Sequence, residues 1–334
     1  MRIAVIGAGS FGTAISWVLG GKGYEVSLYA RKPEVARAIT DGHRNPRYLE
    51  DVVLPDSVYA VSSIAEAASG ADAVAVVMPS ATMRDTARQL SGAVGENTPV
   101  VVLSKGIEEG TGKLMIQVLN DELGNPLRLA ALSGPNHAEE VSRGLPAATV
   151  VASQSEDTAN LLRDLFFAPT FRVYTSHDVI GVELCAAAKN VIAIACGIAA
   201  GAGLGDNTAA LLMTRGLAEM SRLTKALGGD PLTCMGLAGM GDLIATCSSR
   251  HSRNRTLGEL IAHGGTLEEF TEKTHMVAEG AIASKTVTAL AERYGVELPI
   301  GRTVRAMLWE GISLDEAIDQ LLSRSPKAEL QGIS

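Results

Sequence analysis

The sequence predicts an α/β protein: a mostly parallel sheet with a mixed edge in the N-terminal half, then a second, all-helical domain. Three observations predict this. Short β-rich runs alternate with helically periodic stretches as far as Tyr174. From Asp178 onward the chain turns to alanine- and leucine-rich helical segments. Its 334 residues, at roughly 150 per domain, suit about two domains. The boundary falls near Thr175–Asp178, so the expected domains are 1–176 and 177–334.

In chain order, Arg2–Ile6 reads as a buried strand and Glu25–Tyr29 as the next. Ala73–Val77, Val100–Leu103, Arg128–Leu132, Ala147–Val151 and Phe171–Tyr174 follow. Helical periodicity fills the gaps, as in Thr82–Leu90 and Gly112–Leu123. Such alternation implies parallel strands with crossover helices on both faces. Farther on, Gly181–Ala200 and Ala209–Leu227 read as long helices. Gly201–Asn207 reads as a flexible turn between them, because it lacks the Lys-Ser/Thr ending of a phosphate-binding P-loop. Gly228, Gly229 and Pro231 end the second helix, and Gly264-Gly265 ends a later one. The C-terminal residues read as frayed.

Composition excludes several classes. The chain holds 29 basic and 37 acidic residues, net −8, with 4% aromatics, which argues against nucleic-acid binding. No uninterrupted apolar run reaches the ~18 residues of a membrane span. Gly7, Gly9 and Gly12 break the short apolar run where a signal peptide would need one. Cys185, Cys196, Cys234 and Cys247 show no CxxC spacing and read as core residues. The histidines (His43, His137, His177, His251, His263 and His275) show no HxxxH spacing, so no metal site is expected. A cytoplasmic protein is the expectation.

The clearest functional signal is Gly7-Ala8-Gly9-Ser10-Phe11-Gly12, which runs from the first strand into the helical Thr13–Leu19. A GxGxxG in that context marks a Rossmann-like dinucleotide-binding unit. Gly7 takes the tight turn, Gly9 admits a pyrophosphate close to the backbone, and Gly12 permits close packing. Unpaired N–H groups and the helix dipole then hold the diphosphate. An NAD-binding strand normally ends, about 20 residues on, in an acid for the ribose hydroxyl. Here Tyr29-Ala30-Arg31-Lys32 has two cations instead, which suit a 2′-phosphate. The cofactor reading is NADP or NAD, with NADP favoured.

Seven motifs in order resemble the bacterial-type NAD(P)-dependent glycerol-3-phosphate dehydrogenases over nearly the whole length. They are GAGSFGTA (Gly7–Ala14), LSKGIE (Leu103–Glu108), SGPNHAEE (Ser133–Glu140), VELCAAAKNVIAIACG (Val182–Gly197), TRGLAEMSRL (Thr214–Leu223), GLAGMGDL (Gly236–Leu243) and SRNR (Ser252–Arg255). The resemblance implies reversible reduction of dihydroxyacetone phosphate to sn-glycerol 3-phosphate, a precursor of glycerophospholipids. It also implies an active site between a Rossmann-like domain and a helical one. By motif position Lys189 would be the catalytic proton donor and acceptor. Lys105, Gly134, Asn136, Asp242, Ser252, Arg253 and Asn254 would surround the substrate. Ser10, Phe11, Arg31, Lys32, Tyr48, Lys105, Ala138, Arg253, Val277 and Glu279 would line the cofactor. One departure is Asn136-His137, where family members often carry a small hydroxyl residue and then Phe.

The chemistry needs these residue types. Hydride transfer to a ketone develops negative charge on oxygen, which must be stabilised and protonated. A lysine does both when burial or neighbouring cations lower its pKa. Lys189 lies in the apolar stretch Leu184–Ile194, where the bland alternative is a side chain that snorkels to solvent. Lys105 directly follows a strand, at the end where doubly wound sheets bind ligands, and otherwise reads as a solvated cation. Arg253 suits bidentate binding of a phosphate, with Ser252 and Asn254 as further donors; the alternative is an exposed basic loop, and Arg255 reads as structural. Asp242 would tune Lys189, and otherwise reads as a helix N-cap. The expected partner is a small phosphate ester, and apolar faces in the helical half suggest a homodimer. The competing readings are a ketopantoate or β-hydroxyacid reductase and a dinucleotide-binding redox sensor.

Overall fold

The first half of the chain lays down β1 (Arg2–Ile6), β2 (Glu25–Tyr29), β3 (Val58–Val61), β4 (Ala73–Val76), β5 (Val100–Val102), β6 (Leu129–Ser133), β7 (Ala147–Ser153) and β8 (Phe171–Ser176). The computed structural model describes residues 1–250, 252–274, 278–326 and 328–333. The strands form one sheet in the order β3-β2-β1-β4-β5-β6-β7-β8. Neighbours run parallel except β6 and β7, which pair antiparallel and create the mixed edge. Helices α1 (Ser10–Gly21), α2 (Pro33–Gly42), α3 (Ile64–Ala68), α4 (Met83–Ser91), α5 (Met115–Leu123), α6 (Ala138–Val141) and α7 (Glu156–Phe166) connect them. Every residue of β4, β5 and β6 is buried, as expected when helices cover both sheet faces. Ile3 and Val5 of β1 share a core with Ile15, Val18 and Leu19 of α1.

This order decides where a ligand can bind. The chain passes from β1 outward to β2 and β3, then returns to place β4 on the other side of β1. The strand order thus reverses between β1 and β4, and ligands of such sheets bind outside the C-terminal ends of the strands there. Because β1, β2, β4, β5 and β6 are parallel, the segments that follow them all leave the sheet at one edge.

The chain divides into two compact units, Met1–Lys105 with Lys113–Val179, and Gly106–Gly112 with Ile180–Ser334. The second unit thus takes in Gly106–Gly112, where Arg293 donates to the Thr111 carbonyl at 3.0 Å. Its helices are α8 (Val179–Gly201), α9 (Gly205–Ala226), α10 (Asp242–Ser248), α11 (Arg253–Ala262), α12 (Leu267–Thr274), α13 (Glu279–Arg293), α14 (Pro299–Trp309) and α15 (Leu314–Leu322). Glycine brings α8 and α11 into backbone contact. A Cβ on Gly197 would sit 2.1 Å from the Arg255 carbonyl oxygen, and one on Gly258 would sit 2.2 Å from that of Ile194. That approach sets the start of α11 beside the helix bearing Lys189.

Four features differ from the sequence reading. Strand β3 was not anticipated: it is four residues long, alternates buried with half-buried positions, and pairs only with β2. The turn after α8 is shorter than expected, because Asp206 and Asn207 already lie in α9. Helix α8 is long and apolar enough by composition to cross a membrane. Yet 94% of its most apolar window is buried inside the protein, as in a core helix. The C-terminal residues pack along α9, with Arg215 donating to the Glu329 carbonyl (2.7 Å) and Lys225 to that of Ile333 (3.3 Å).

Candidate functional site

In the first unit, the glycine loop leaves the C-terminal end of β1 and opens α1. Gly7 has φ +127°, a conformation L side chains rarely adopt, and a Cβ there would lie 2.5 Å from the Val77 carbonyl oxygen. A Cβ on Gly12 would lie 1.8 Å from the Gly7 carbonyl oxygen. Both glycines are therefore demanded by the fold. Gly9 is not: its φ of −78° suits any residue, and a Cβ there would meet nothing within 4 Å. The amides of Ser10, Phe11 and Gly12 find no acceptor among the described residues, and no side chain caps the helix. An open volume over a glycine, faced by unpaired N–H groups at a helix N-terminus, fits a dinucleotide diphosphate.

The remaining calls in this unit distribute along the same sheet edge. Arg31 is exposed and Lys32 half-buried just beyond β2, where Lys32 precedes α2 and neither side chain bonds another described residue. Lys105 is half-buried beyond β5. Gly134, beyond β6, has a packing reason of its own: a Cβ would lie 2.7 Å from the Ala148 oxygen and the Thr149 Cα. Asn136 is buried and its amide donates to Thr149 Oγ1 at 3.3 Å, so the amide predicted to serve substrate is partly committed. Ala138 buries its methyl in the core, which leaves only its backbone for a ligand. Tyr48 is half-buried in the loop after α2. One residue of that loop escaped the sequence reading. Asn45, fully buried, donates to the Ala8 carbonyl at 3.0 Å and to Thr13 Oγ1 at 2.8 Å.

In the second unit, Lys189 does not snorkel. It is 3% exposed, and its Nζ donates to Asp242 Oδ1 at 2.7 Å and Thr246 Oγ1 at 2.5 Å. Asp242 and Thr246 lie one turn apart on α10, on the same face. The Thr246 hydroxyl in turn donates to the Asp242 carbonyl at 2.6 Å. A charge this deeply buried persists only with such partners. Asp242 is the first residue of α10, not its N-cap; a π-type turn, Leu237–Gly241, delivers it. That turn needs glycine at Gly239, where a Cβ would lie 2.0 Å from the Cys234 carbonyl oxygen. Next to Thr246, hydrogen bonding with Cys196 and burial push the Cys247 thiol above its usual range.

The SRNR segment forms the start of α11. Ser252 caps it, its Oγ accepting from the Arg255 amide at 3.3 Å. Arg253 is exposed, and its guanidinium bonds no other described residue. The Asn254 side chain is a structural tie. Its amide donates to Asn190 Oδ1 at 3.0 Å, and its oxygen accepts from the Gly280 amide at 2.9 Å. Asn190 follows Lys189 in α8, and Glu279 precedes Gly280 in α13, so this network gathers the second unit's candidates. Arg255 is structural as expected, pairing with Glu259 at 2.9 Å and donating to the Ser248 carbonyl at 2.8 Å. Val277 lies outside the described residues. Among the described residues, no group of three or more His, Cys, Asp or Glu side chains could hold a metal ion.

Comparison with known proteins places these residues in context. Family profiles described as the N-terminus and C-terminus of NAD-dependent glycerol-3-phosphate dehydrogenase match residues 2–159 and 178–319. The chain is 47% identical, over 99% of its length and all of the relative's, to a glycerol-3-phosphate dehydrogenase [NAD(P)+] of Chlorobium limicola. It is likewise 47% identical to that of Corynebacterium aurimucosum, over 98% of this chain and 99% of the relative. A crystal structure of glycerol-3-phosphate dehydrogenase from Coxiella burnetii superposes with a TM-score of 0.92 at 35% identity, covering 97% of this chain and 99% of that one. A ketopantoate reductase from Ralstonia eutropha, 18% identical with a TM-score of 0.60, covers 92% of this chain and 97% of its own; it shares the fold alone.

Proposed function

Because the chain belongs to the NAD-dependent glycerol-3-phosphate dehydrogenase family, we propose how its own residues divide the work of that reaction. It is an NAD(P)-dependent oxidoreductase that reduces dihydroxyacetone phosphate to glycerol 3-phosphate. The bound nicotinamide supplies the hydride. The first unit holds the dinucleotide: Gly7 and Gly12 shape the loop, Gly9 leaves room, and the Ser10, Phe11 and Gly12 amides face the diphosphate. Tyr48 and the Ala138 backbone complete the cofactor contacts within this unit. Arg31 and Lys32, unpaired among the described residues, would favour a 2′-phosphate and hence NADPH over NADH.

The second unit supplies the acid and holds the substrate. The exposed Arg253 guanidinium and the open N-terminus of α11 bind the phosphate dianion, with the Ser252 hydroxyl alongside. Asn254 contributes through its backbone N–H, since its side chain ties α8 to α13. Lys189 Nζ donates a hydrogen bond to the substrate's ketone oxygen and passes its proton as negative charge develops there. The reverse reaction returns that proton to the neutral amine. Asp242 balances the ammonium and Thr246 fixes its direction. On the first unit, Lys105, Gly134 and Asn136 are the candidates for substrate contact.

The observation that carries this reading is one buried ammonium, held by a carboxylate and a hydroxyl one helical turn apart. The test is loss of reduced-nicotinamide absorbance with dihydroxyacetone phosphate and each cofactor in turn, with dihydroxyacetone as the control. Turnover of the phosphorylated ketone alone supports the reading; equal turnover of both ketones would sink the Arg253 assignment. Four free, buried cysteines suit a reducing compartment, so the cytoplasm is the proposed location. The product would feed glycerophospholipid synthesis. Exposed apolar side chains such as Leu232 and Met235 would serve a homodimer interface.

A further inference from the structure

Asn45 is a polar side chain with no solvent exposure, yet every hydrogen-bonding group on it is used. Its amide donates to the Ala8 carbonyl (3.0 Å) and Thr13 Oγ1 (2.8 Å), and its oxygen accepts from the Arg47 amide at 3.0 Å. Ala8 is the residue between Gly7 and Gly9. The Ala8–Gly9 peptide is trans, so its carbonyl and its N–H point in opposite directions. Pulling the Ala8 carbonyl toward Asn45 therefore turns the Gly9 N–H away from Asn45. That N–H finds no acceptor among the described residues. It lies at the glycine whose missing Cβ leaves open space, one residue before the unpaired amides of α1.

We propose that Asn45 is a positioning residue for the cofactor: by gripping the Ala8 carbonyl, it aims the Gly9 N–H at the diphosphate. This rests on the dinucleotide reading of the loop. Untied, the Ala8–Gly9 peptide plane would turn about the ψ of Ala8 and the φ of Gly9, and its amide would face the ligand only part of the time. A side chain from a loop 37 positions away removes that freedom before the ligand arrives. The bond from the Arg47 amide ties the same side chain into its own loop, and Asn45→Asp keeps that acceptor.

The test compares equilibrium binding, by fluorescence titration, of NADPH and of adenosine 2′-monophosphate, which lacks the diphosphate. The proteins are wild type, Asn45→Ala, the isosteric Asn45→Asp and Thr13→Val. Both Asn45 variants should weaken NADPH binding by about tenfold or more, the factor carried by one hydrogen bond to a charged group. Their affinity for the fragment, and the KM for dihydroxyacetone phosphate at saturating NADPH, should stay within about twofold. Thr13→Val, which keeps the Ala8 bond, should bind NADPH as wild type does. If Asn45→Ala does not fold, Asn45→Asp, which conserves its volume, decides the matter. Unchanged NADPH affinity in the Asn45 variants, or equal weakening of NADPH and fragment, would overturn the proposal. Failure of the wild type to bind either NADPH or NADH would instead refute the dinucleotide reading beneath it.

Discussion

Gly9→Ala separates a glycine kept for a ligand from one kept for the fold. The backbone at Gly9 (φ −78°, ψ −176°) is open to alanine, and the new methyl meets no protein atom within 4 Å. Lower entropy of the unfolded chain should stabilise the variant by about 0.4–1 kcal/mol. Gly9 is also the N-cap of α1, where glycine is preferred over alanine by a similar amount, so the two effects offset. The melting temperature without ligand should therefore move by no more than about 2 °C. In the complex, the methyl would occupy the space of the diphosphate. Loss of one hydrogen bond to that charged group, about 1.5–3 kcal/mol, corresponds to an NADPH affinity weaker by roughly 10- to 100-fold. Thermal melting of the ligand-free protein followed by NADPH titration measures both quantities. Gly12→Ala is the contrast, because its Cβ would lie 1.8 Å from the Gly7 oxygen and should lower the melting point substantially. Unchanged NADPH affinity in Gly9→Ala, or a melting point as low as that of Gly12→Ala, would refute the assignment.

Lys189→Ala should cut kcat by about 100- to 10,000-fold with NADPH affinity near normal, and retained turnover would remove Lys189 from the mechanism. The same change strands the buried Asp242 carboxylate, so thermal melting should also show a loss of about 3–5 kcal/mol. Arg253→Ala should raise the KM for dihydroxyacetone phosphate about tenfold or more while barely moving the melting point, since its exposed guanidinium bonds no described residue. An unchanged KM would count against it. Arg31→Asp should shift preference from NADPH toward NADH, and kinetics that change equally for both cofactors would show that Arg31 is only surface. Burial holds the Glu219 carboxyl up at about 7, from 4.5, although the Ile300 and Gly301 amides and nearby Arg222 and Arg324 oppose it. Between those values the folded protein keeps a proton that the unfolded chain has lost, so stability should fall as pH rises through the window. Denaturant midpoints measured across it should show a slope that Glu219→Gln flattens; identical slopes would rule Glu219 out as its source.

Much of this molecule was legible along the chain. The glycine loop, the alternation of strands and helices, and the lysine set in an apolar helix are local patterns, and local backbone preferences and side-chain periodicity generate them directly. Short or one-sided elements were harder to read. Strand β3 carries four residues and pairs on a single side, so most of what makes it a strand comes from β2. Arg255, read as structural, pairs in the fold with an acid one turn along its own helix.

What tertiary structure alone decided are the partners. The resemblance named Asp242 for Lys189, but Thr246, 57 positions from Lys189, and Ala8, 37 from Asn45, were found only in the fold. Sequence supplied the donors and acceptors but not their pairing, which depends on how α8 packs on α10 and how the loop after α2 folds back. The same packing took the Asn254 side chain for holding helices together. It also revealed that Gly12 answers to its neighbour's carbonyl, whereas Gly9 answers to nothing in the protein itself. Spacing along a chain encodes local conformation; hydrogen-bond direction and burial exist only once distant segments have met.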